Sequence, residues 1–307
     1  MLEIGLYGLG RMGGNMARRL SRSGIRVCAL NRSHAVTENL AAEEENIVVC
    51  RSVQEMVDAL PAPRMVWLML PAGEATEDAI LQLAGTLKPG DLLVDGANGF
   101  YQEAQRRAVD LSHFGVKFVD VGVSGGVWGL ANGYCLMAGG DTADVARLQP
   151  ILQALAPTPA TGWLHAGPAG AGHFTKMVHN GIEYGMMQSL AEGFALMSAK
   201  QEFDLDIAAV AELWRHSSVV RSWLLDLSAD FLQSDQKLDS IAPVVADSGE
   251  GRWTALESIN LGVPTPVMTL ALMSRFASQG KGDFANQMLA KMRQGFGGHA
   301  VKSGSET

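Results

Sequence analysis

The chain has 307 residues, of which 47% are hydrophobic and 35 are glycine, and its formal net charge is −8. These values exclude a disordered chain, a collagen-like repeat and a small disulfide-stapled scaffold, and they fit a globular protein with two domains. A mildly acidic chain lacks the basic face that general binding to nucleic acid or to an anionic membrane requires. An anionic substrate would therefore need a local cluster of arginine, lysine and histidine.

The three cysteines, Cys28, Cys50 and Cys135, lie in apolar runs without the spacing of a metal site. Their odd number and their surroundings favour buried, reduced thiols over disulfides, and no metal is expected. No membrane-spanning run and no signal peptide is expected either, because a glycine turn and Arg11 interrupt the apolar start of the chain. We therefore expect a cytoplasmic protein.

Short apolar runs alternate with amphipathic stretches through the first half of the chain. The predicted strands cover residues 2–7, 25–30, 47–50, 65–70, 92–95, 118–121 and 134–138. This alternation predicts an α/β fold, a Rossmann-type doubly wound, mostly parallel sheet with crossover helices.

From residue 166 onward the strand-like runs disappear and helical segments rich in Ala, Leu and Met follow. The change predicts a sheet domain over residues 1–165 and an all-helical second domain over residues 166–307. Residues 172–199 resemble one long helix, apolar around most of its circumference, and such a helix should lie buried at the centre of the second domain. The low-complexity tail, residues 302–307, is expected to be frayed.

Residues 8–13 read Gly-Leu-Gly-Arg-Met-Gly and match the pattern G-x-G-x-x-G, directly after a predicted strand and at the start of a helical pattern. In that setting Gly8 allows a tight turn, Gly10 lets the backbone approach a pyrophosphate, and Gly13 permits close helix packing. The phosphates would lie at the N-terminus of the helix. We expect a dinucleotide site that includes Arg11 and Met12.

The choice of cofactor is made at the end of the second strand, where an NAD enzyme usually places a carboxylate against the ribose 2′-hydroxyl. Here the chain has Asn31, Arg32 and Ser33. A guanidinium and neutral donors can hold a 2′-phosphate, so NADP is favoured, with NAD possible. The alternative is that Arg32 is a surface residue occupied by Glu38 or Glu43.

Four polar residues, Lys176, His179, Asn180 and Glu183, fall at positions i, i+3, i+4 and i+7 and share one face of the predicted long helix. A solvated face is the ordinary explanation of such a stripe. Here the neighbouring positions are apolar, which favours a stripe that lines a cleft. Burial would favour the neutral forms of the amine and of the acid and would make both useful for proton exchange near neutral pH.

These motifs resemble those of the decarboxylating 6-phosphogluconate dehydrogenases, within the β-hydroxyacid dehydrogenase superfamily. The resemblance rests on residues 8–15, 95–98, 122–126 and above all 172–184, which read GHFTKMVHNGIEY. The length resembles the short bacterial form. The resemblance implies oxidative decarboxylation of 6-phosphogluconate to ribulose 5-phosphate and carbon dioxide, with reduction of NADP or NAD, in the pentose phosphate pathway.

The resemblance also implies the roles of individual residues. Lys176 would take the proton of the substrate C3 hydroxyl and later hydrogen bond to the resulting carbonyl oxygen. Glu183 would protonate C1 of the enediol. The sugar acid would be held by Asn98, Ser124, Gly125, Gly126, His179, Asn180 and Tyr184.

The phosphate of the substrate requires further cations. Arg275 aligns with a phosphate ligand of the family, and Arg293 and His299 match a tail that reaches into the partner subunit. The resemblance therefore implies a homodimer, or a larger homo-oligomer, in which each tail completes the site of the other chain. The alternatives are that Arg275 caps a helix and that His299 belongs to a loose tail.

The sequence departs from the family pattern at several positions. Ala97 replaces a usual Gly, Gly99 a usual Ser or Thr, and Met186 a common Asp. Ser248 stands where longer members have a phosphate-binding Lys, and the sequence leaves open whether Arg252 replaces it.

Two other functions are compatible with the same motifs. One is a non-decarboxylating β-hydroxyacid dehydrogenase of the 3-hydroxyisobutyrate type, in which the phosphate-binding cations would have no phosphate to hold. The other is a catalytically silent dinucleotide-binding sensor, which the presence of both Lys176 and Glu183 disfavours.

Overall fold

A computed structural model describes residues 1–302, so residues 303–307 of the predicted frayed tail lie outside the described part of the chain. Within the described residues the backbone forms two compact units, which divide between Met177 and Val178. The division falls inside the long helix. The domain boundary predicted after residue 165 stays a prediction.

The first unit is built on one eight-stranded sheet within the described residues. Its strands follow the order β3-β2-β1-β4-β5-β6-β7-β8, and neighbouring strands are parallel except for the antiparallel pair β6 and β7. The strands are β1 Glu3–Tyr7, β2 Arg26–Leu30, β3 Ile47–Cys50, β4 Met65–Leu68, β5 Leu92–Asp95, β6 Lys117–Ser124, β7 Cys135–Gly140 and β8 Trp163–Gly167. The predicted doubly wound sheet is confirmed, with its change of winding direction between β1 and β4.

Helices cover both faces of this sheet. They are α1 Arg11–Arg22, α2 His34–Glu43, α3 Val53–Asp58, α4 Glu74–Ala84, α5 Tyr101–Ser112, the short α6 Gly129–Asn132 and α7 Thr142–Leu155. Apolar side chains of α1, α2 and α7 form the core on one face, and those of α3, α4 and α5 form the core on the other. Central strands buried on both sides explain the continuous apolar runs in the sequence.

The eighth strand was not predicted. The segment Trp163–Gly167 pairs in parallel with β7 at the edge of the sheet, and its residues are exposed or only half-buried. Because it is covered so little, it lacks the apolar run by which the other strands are found, and the exposed fraction of Leu164 is 58%.

The second unit contains helices joined by irregular segments and no strand among its described residues, as predicted. The long helix α8, Ala171–Ala199, begins in the first unit and ends in the second, and it is followed by α9 Ile207–Trp214, α10 Trp223–Ser234, α11 Glu250–Leu261, α12 Pro266–Ser278 and α13 Asp283–Gly297. One small core joins α9 to α10, and another gathers Tyr184 of α8 with Leu272 of α12. Gly181 brings α8 close to Thr254 of α11.

The prediction that α8 lies buried along its length is wrong for its second half. No residue from Met186 to the end of α8 is buried, and the exposed fraction of Leu196 is 74%. A helix of 29 residues is about 44 Å long, whereas the helices that follow it have 8 to 15 residues and reach about 23 Å at most. Its neighbours in the second unit are too short to cover it.

The expectation for the cysteines also needs correction. All three are free thiols, but only Cys28 and Cys50 are buried, whereas Cys135 is exposed. Cys135 is the first residue of β7, where the strand emerges from the covered part of the sheet. Among residues 1–302, no helix is both long enough and apolar enough to cross a membrane.

Candidate active site

The glycine-rich loop follows β1 directly. Gly8 has a φ of +102°, and a side chain there would collide with the backbone carbonyl of Met69. A side chain at Gly13 would collide with the carbonyl of Gly8. The space in front of Gly10 is open, with no atom within 4 Å of a Cβ placed there. Two properties of this loop fit the pyrophosphate of a dinucleotide. Gly8 and Gly13 pack closely against backbone carbonyls, and the space beside Gly10, at the N-terminus of α1, is open.

Asn31 connects the end of β2 to this loop. Its Oδ1 accepts a hydrogen bond from the backbone N–H of Leu9 at 3.0 Å, and its Nδ2 donates to the carbonyl of Ser33 at 3.3 Å. The side chain of Asn31 therefore holds the loop in place. Arg32 and Ser33 are both exposed beside it.

Arg32 forms no ion pair with Glu38 or Glu43, the two carboxylates that could have neutralised it. Glu38 pairs with Arg51 at 3.3 Å, and Glu43 pairs with Arg18 at 2.6 Å. Within the described residues, no carboxylate forms an ion pair with Arg32. Its guanidinium is therefore available to an anion at the end of β2.

A groove of about 380 Å³ lies beside the glycine-rich loop. It is lined by Leu9, Gly10, Arg11, Gly14, Asn15, Arg18, Val36, Leu40 and Val127. Asn15 donates from Nδ2 to the carbonyl of Val127 at 3.2 Å and so ties α1 to the turn after β6. Met12, predicted at the cofactor site, is half-buried and packs against the core on this face.

Ser124, Gly125 and Gly126 form the turn at the end of β6. Gly125 has a φ of +127° and Gly126 a φ of +54°, in the region that favours glycine. Ser124 is half-buried and lies opposite Cys135 of β7.

Asn98 lies in the short loop that follows β5. The N–H of Ala97 donates to the carboxylate of Asp95 at 3.1 Å, and Asn98 itself is half-buried. Because β5 and β6 are parallel neighbours, this loop and the chain beyond β6 start at the same end of the sheet, where the carboxyl ends of these strands lie. The glycine-rich loop starts at that end as well, since β1, β4 and β5 are parallel.

Lys176 lies on the first part of α8 and belongs to the first unit. Its exposed fraction is 7%. A Cβ at Gly122 of β6 would collide with the Cβ of Lys176, so the glycine allows the helix to lie directly against the strand. The stem of Lys176 is thereby held against Gly122, which precedes Ser124 by two residues on β6.

Two buried residues that were given no role from the sequence hold the start of α8. Asp120 of β6 accepts hydrogen bonds from the N–H groups of Gly170 at 2.6 Å and of His173 at 2.7 Å. Burial raises the pKa of Asp120, and the nearby His173 and these two N–H groups oppose the rise. The sequence could have indicated a role for His173, because it lies inside the motif of residues 172–184. It gave no such indication for Asp120, which lies within an apolar strand.

In the second unit, the polar residues of α8 interact with one another. His179 Nδ1 lies 3.1 Å from Asn180 Oδ1 and 3.8 Å from Glu183 Oε2. The side chain of Glu183 is 40% exposed and that of His179 is 37% exposed. The expected burial of Glu183 is therefore wrong, because the helices of the second unit cover the opposite side of α8 around Gly181.

Tyr184 and Arg275 are stacked in the second unit. The guanidinium carbon of Arg275 lies 3.6 Å from the centroid of the Tyr184 ring, and Nη1 donates to the carbonyl of Ala246 at 2.8 Å. The hydroxyl of Tyr184 is buried without a hydrogen-bond partner among the described residues. Arg275 is in the last turn of α12, but its guanidinium donates to Ala246 in another segment, which argues against a role confined to capping that helix.

Arg252 is held by its own neighbours. Its Nε donates to Asp247, and its guanidinium lies 4.6 Å from the Phe276 ring centroid. Burial raises the pKa of Asp247, but the hydrogen bonds from Arg252 and from the N–H of Gly249 outweigh it, so the pKa lies below its usual value. Ser248, in place of the family lysine, donates to Glu250 at 2.5 Å.

Arg293 and His299 lie near the end of the described chain. Arg293 is exposed on α13, and His299 is exposed just after Gly298, the residue that ends this helix with a φ of +64°. Their predicted role in a partner subunit stays a prediction. No group of three or more His, Cys, Asp or Glu side chains within residues 1–302 could hold a metal ion.

Two family models together match most of the chain. The model described as the NAD binding domain of 6-phosphogluconate dehydrogenase matches residues 3–164, and the model of the 6-phosphogluconate dehydrogenase C-terminal domain matches residues 172–303.

Full-length relatives and a solved structure agree with these matches. The chain is 37% identical to YqeC of Bacillus subtilis, provisionally named a 6-phosphogluconate dehydrogenase, over 98% of this chain and 99% of that one. It is 36% identical to the NAD(+)-dependent, decarboxylating 6-phosphogluconate dehydrogenase of Haloferax volcanii, over 98% of both. The structure of Plasmodium falciparum 6-phosphogluconate dehydrogenase, studied in apo form and with NADP+ or 6-phosphogluconate, matches with a TM-score of 0.83 at 28% identity, covering 98% of this chain and 67% of that one.

Proposed function

Since the chain belongs to the 6-phosphogluconate dehydrogenase family of nicotinamide-dependent oxidoreductases, we propose that it converts 6-phosphogluconate to ribulose 5-phosphate and carbon dioxide in the pentose phosphate pathway. The observation that carries this proposal is the position of Lys176. Its amine is on a buried stem in the same unit as the glycine-rich loop, beside the strand that leads to Ser124. A buried amine next to a polar strand end is suited to proton transfer.

The cofactor would be held by the glycine-rich loop. Gly8, Gly10 and Gly13 fit a pyrophosphate by their packing and their open front, and Arg11 adds a positive charge at the start of α1. The bound nicotinamide dinucleotide supplies the acceptor for the hydride that leaves the substrate.

We further propose that NADP is the preferred cofactor. Asn31 fastens the loop, while Arg32 and Ser33 offer a guanidinium and a hydroxyl at the end of β2, and no carboxylate of residues 1–302 forms an ion pair with Arg32. These donors complement a 2′-phosphate, and a carboxylate that would prefer a free 2′-hydroxyl is missing from residues 31–33.

Lys176 performs the first proton transfer. Its neutral amine accepts the proton of the C3 hydroxyl while the C3 hydrogen leaves as hydride. The 3-keto acid that results can lose carbon dioxide, because the electron pair of the broken C1–C2 bond forms a C2=C3 double bond while the π pair of the carbonyl moves onto the C3 oxygen. The ammonium form of Lys176 then stabilises that oxygen with a charged hydrogen bond and returns its proton to it, which gives the enediol.

Glu183 performs the last proton transfer. The enediol that remains after loss of carbon dioxide becomes ribulose 5-phosphate when it gains a proton at the former C2 of the substrate, which is C1 of the product, while the proton of the adjacent hydroxyl passes back to Lys176. Glu183 lies two helical turns after Lys176 on α8, and its side chain is 40% exposed and close to His179. An accessible carboxyl group can be protonated again from solvent after each turnover.

Binding of the sugar acid is assigned to the polar residues around these two. The family resemblance assigns its carboxylate, hydroxyls and phosphate to Asn98, Ser124, Gly125, Gly126, His179, Asn180, Tyr184 and Arg275. The stack of Arg275 on Tyr184, whose hydroxyl has no hydrogen-bond partner in the described part of the chain, supports a phosphate contact at this pair.

We also propose that the chain assembles into an oligomer and that it is located in the cytoplasm. The working unit is a homodimer or larger homo-oligomer, in which Arg293 and His299 complete the site of the partner chain. The exposed apolar side chains along the second half of α8 support burial against another chain. A cytoplasmic location is supported by the buried free thiols of Cys28 and Cys50.

A spectrophotometric assay tests the activity. Formation of reduced nicotinamide is followed with 6-phosphogluconate and either NADP or NAD, with 3-hydroxyisobutyrate and unphosphorylated gluconate as comparison substrates. We expect turnover with 6-phosphogluconate, faster at low cofactor concentration with NADP, and far slower turnover of the comparison substrates. Preferred oxidation of 3-hydroxyisobutyrate would refute the proposal.

A further inference from the structure

His173 lies one turn before Lys176 on α8, and its imidazole makes a contact across the unit. The residue is 1% exposed, and its Nε2 lies 3.2 Å from the backbone carbonyl oxygen of Asp95. Because a carbonyl oxygen only accepts hydrogen bonds, Nε2 carries the proton of this bond. The bond joins the helix of Lys176 to the last residue of β5, from which the loop of Asn98 departs.

Both ends of this hydrogen bond are fixed by buried groups. At the helix end, Asp120 accepts the backbone N–H of His173 at 2.7 Å. At the strand end, the Asp95 carboxylate accepts a bond from Nη1 of Arg107 at 2.9 Å and one from the N–H of Ala97 at 3.1 Å. Asp95, Asp120 and Arg107 are each at most 2% exposed. The acceptor and the helix turn are therefore held independently of the imidazole.

The second nitrogen of His173 faces a gap at Gly99. Nδ1 is buried and has no hydrogen-bond partner among the described residues. A Cβ built on Gly99 would lie 3.5 Å from Nδ1 and 3.6 Å from Nη1 of Arg107, which are ordinary contact distances. A serine side chain at position 99 would thus fit beside Nδ1, which is an acceptor without a partner among the described residues when Nε2 carries the proton.

We propose that His173 is a positioning residue, which fixes the loop of Asn98 relative to Lys176 through its Nε2–H bond to Asp95. This inference rests on the proposed function, since it gives the substrate loop and the base a common anchor. His173 touches no reacting atom. Its loss would remove the hydrogen bond that joins the last residue of β5 to the helix that carries the base, and would leave the ring contact of Tyr101 with Phe174 as a second link between this segment and α8.

Two substitutions at position 173 separate positioning from packing. In His173→Gln the amide nitrogen reaches about as far as Nε2 and can still donate to Asp95, whereas in His173→Asn it reaches only as far as Nδ1. We expect His173→Asn to raise KM for 6-phosphogluconate about tenfold, the effect of losing one buried hydrogen bond. KM for the cofactor should stay within about twofold, and His173→Gln should restore most of the substrate affinity.

A second measurement needs no substrate. Hydrogen exchange of a peptide covering residues 96–100, followed by mass spectrometry, should be faster in His173→Asn than in the wild type and near normal in His173→Gln. Gly99→Ser should slow it, and the matched control Gly99→Ala, which fills the same space without a hydroxyl, should slow it less. This pair keeps the test available if His173→Asn fails to fold.

The outcomes distinguish this inference from the proposed function. Equal exchange of the 96–100 peptide in His173→Asn and His173→Gln, or equal effects of serine and alanine at position 99, would overturn the positioning role. An equal rise of KM for substrate and cofactor would do so as well. A wild-type chain that does not oxidise 6-phosphogluconate would overturn the proposed function, and the exchange data would still decide the role of His173.

Discussion

Lys176 lies against Gly122 so closely that no side chain fits between helix α8 and strand β6 at this point. The glycine therefore determines where the stem of Lys176 lies, on the strand whose carboxyl end is at the same end of the sheet as the glycine-rich loop. Glycine inside a strand lowers the stability of that strand. Gly122 is therefore explained by the close approach of Lys176, which a larger residue would prevent.

Gly122→Ala should displace Lys176 and reduce kcat. A misplacement of about 1 Å can cost on the order of 100-fold, and the added methyl group must move the helix, because backbone and stem atoms oppose it. The measurement is steady-state turnover of 6-phosphogluconate together with a thermal melt. Gly193→Ala is the control, since that glycine on α8 has open space around it, and we expect unchanged kcat. Normal kcat in a folded Gly122→Ala chain would contradict this placement.

Lys176→Met should abolish oxidation and leave the fold intact. Methionine keeps a long apolar stem against Gly122, so little packing is lost, while the proton acceptor is removed. We expect turnover to fall by about 10³-fold or more, with a melting temperature close to that of the wild type. Turnover at the wild-type rate would defeat the assignment of Lys176 as the base.

Glu183→Gln should slow the final protonation more than the oxidation. Glutamine has nearly the same shape but cannot donate a proton to carbon, and general acids contribute about 10² to 10⁴-fold. The rate of reduced-nicotinamide formation in the first turnover should be nearly unchanged, while release of ribulose 5-phosphate becomes rate-limiting. Rapid-quench analysis of both products tests this. A first turnover slowed as much as product release would argue that Glu183 has a different role.

Arg32→Ala should weaken NADP more than NAD. Loss of a charged hydrogen bond to the 2′-phosphate should raise KM for NADP about tenfold or more, and NAD has no such group to lose. Arg51→Ala is the matched control, because Arg51 is an exposed arginine of the same unit that is paired with Glu38. Equal losses for both cofactors would show that Arg32 does not contact the 2′-phosphate.

Arg107→Met should destabilise the chain near neutral pH. Arg107 is 2% exposed and binds Asp95 and Glu77, both at 2.9 Å, and breaking a buried pair costs about 3–5 kcal/mol. Urea unfolding of the two proteins at pH 7 measures the difference. A loss below about 1 kcal/mol would show that the buried network contributes little.

The same pair of proteins should converge at low pH. Burial raises the pKa of Glu77, but hydrogen bonds from Arg106 and Arg107 outweigh it, so its pKa lies below the usual value. A carboxyl group with a lowered pKa in the folded state stabilises the protein above its unfolded pKa, and this stability is lost as the pH falls through the folded pKa. The wild type should therefore lose more stability than Arg107→Met between about pH 5 and pH 2. A constant difference across that range would contradict the pairing.

The fold was predictable because most strands are buried on both faces and leave unbroken apolar runs. Strand β8 escaped prediction, since Trp163–Gly167 is only half-buried at the edge of the sheet. The burial of α8 was overestimated, because composition shows how apolar a helix is but not whether its neighbours are long enough to cover it.

The candidate site was predictable where its residues are close in sequence. Lys176 and Glu183 lie on one helix, and the glycine-rich loop is a contiguous motif. The contacts that hold these elements were not predictable, because Asp120 and His173 are 53 residues apart and Asp95 and His173 are 78 residues apart. Hydrogen bonds over such separations have no local pattern.

Oxidative decarboxylation with Lys176 as the base is tested most directly by the stoichiometry of the reaction with 6-phosphogluconate labelled at its carboxylate carbon. Labelled carbon dioxide and reduced nicotinamide are measured in the same sample. We expect one carbon dioxide for each reduced nicotinamide, and neither product with Lys176→Met. Reduced nicotinamide without labelled carbon dioxide would contradict it and would identify a simple hydroxyacid dehydrogenase.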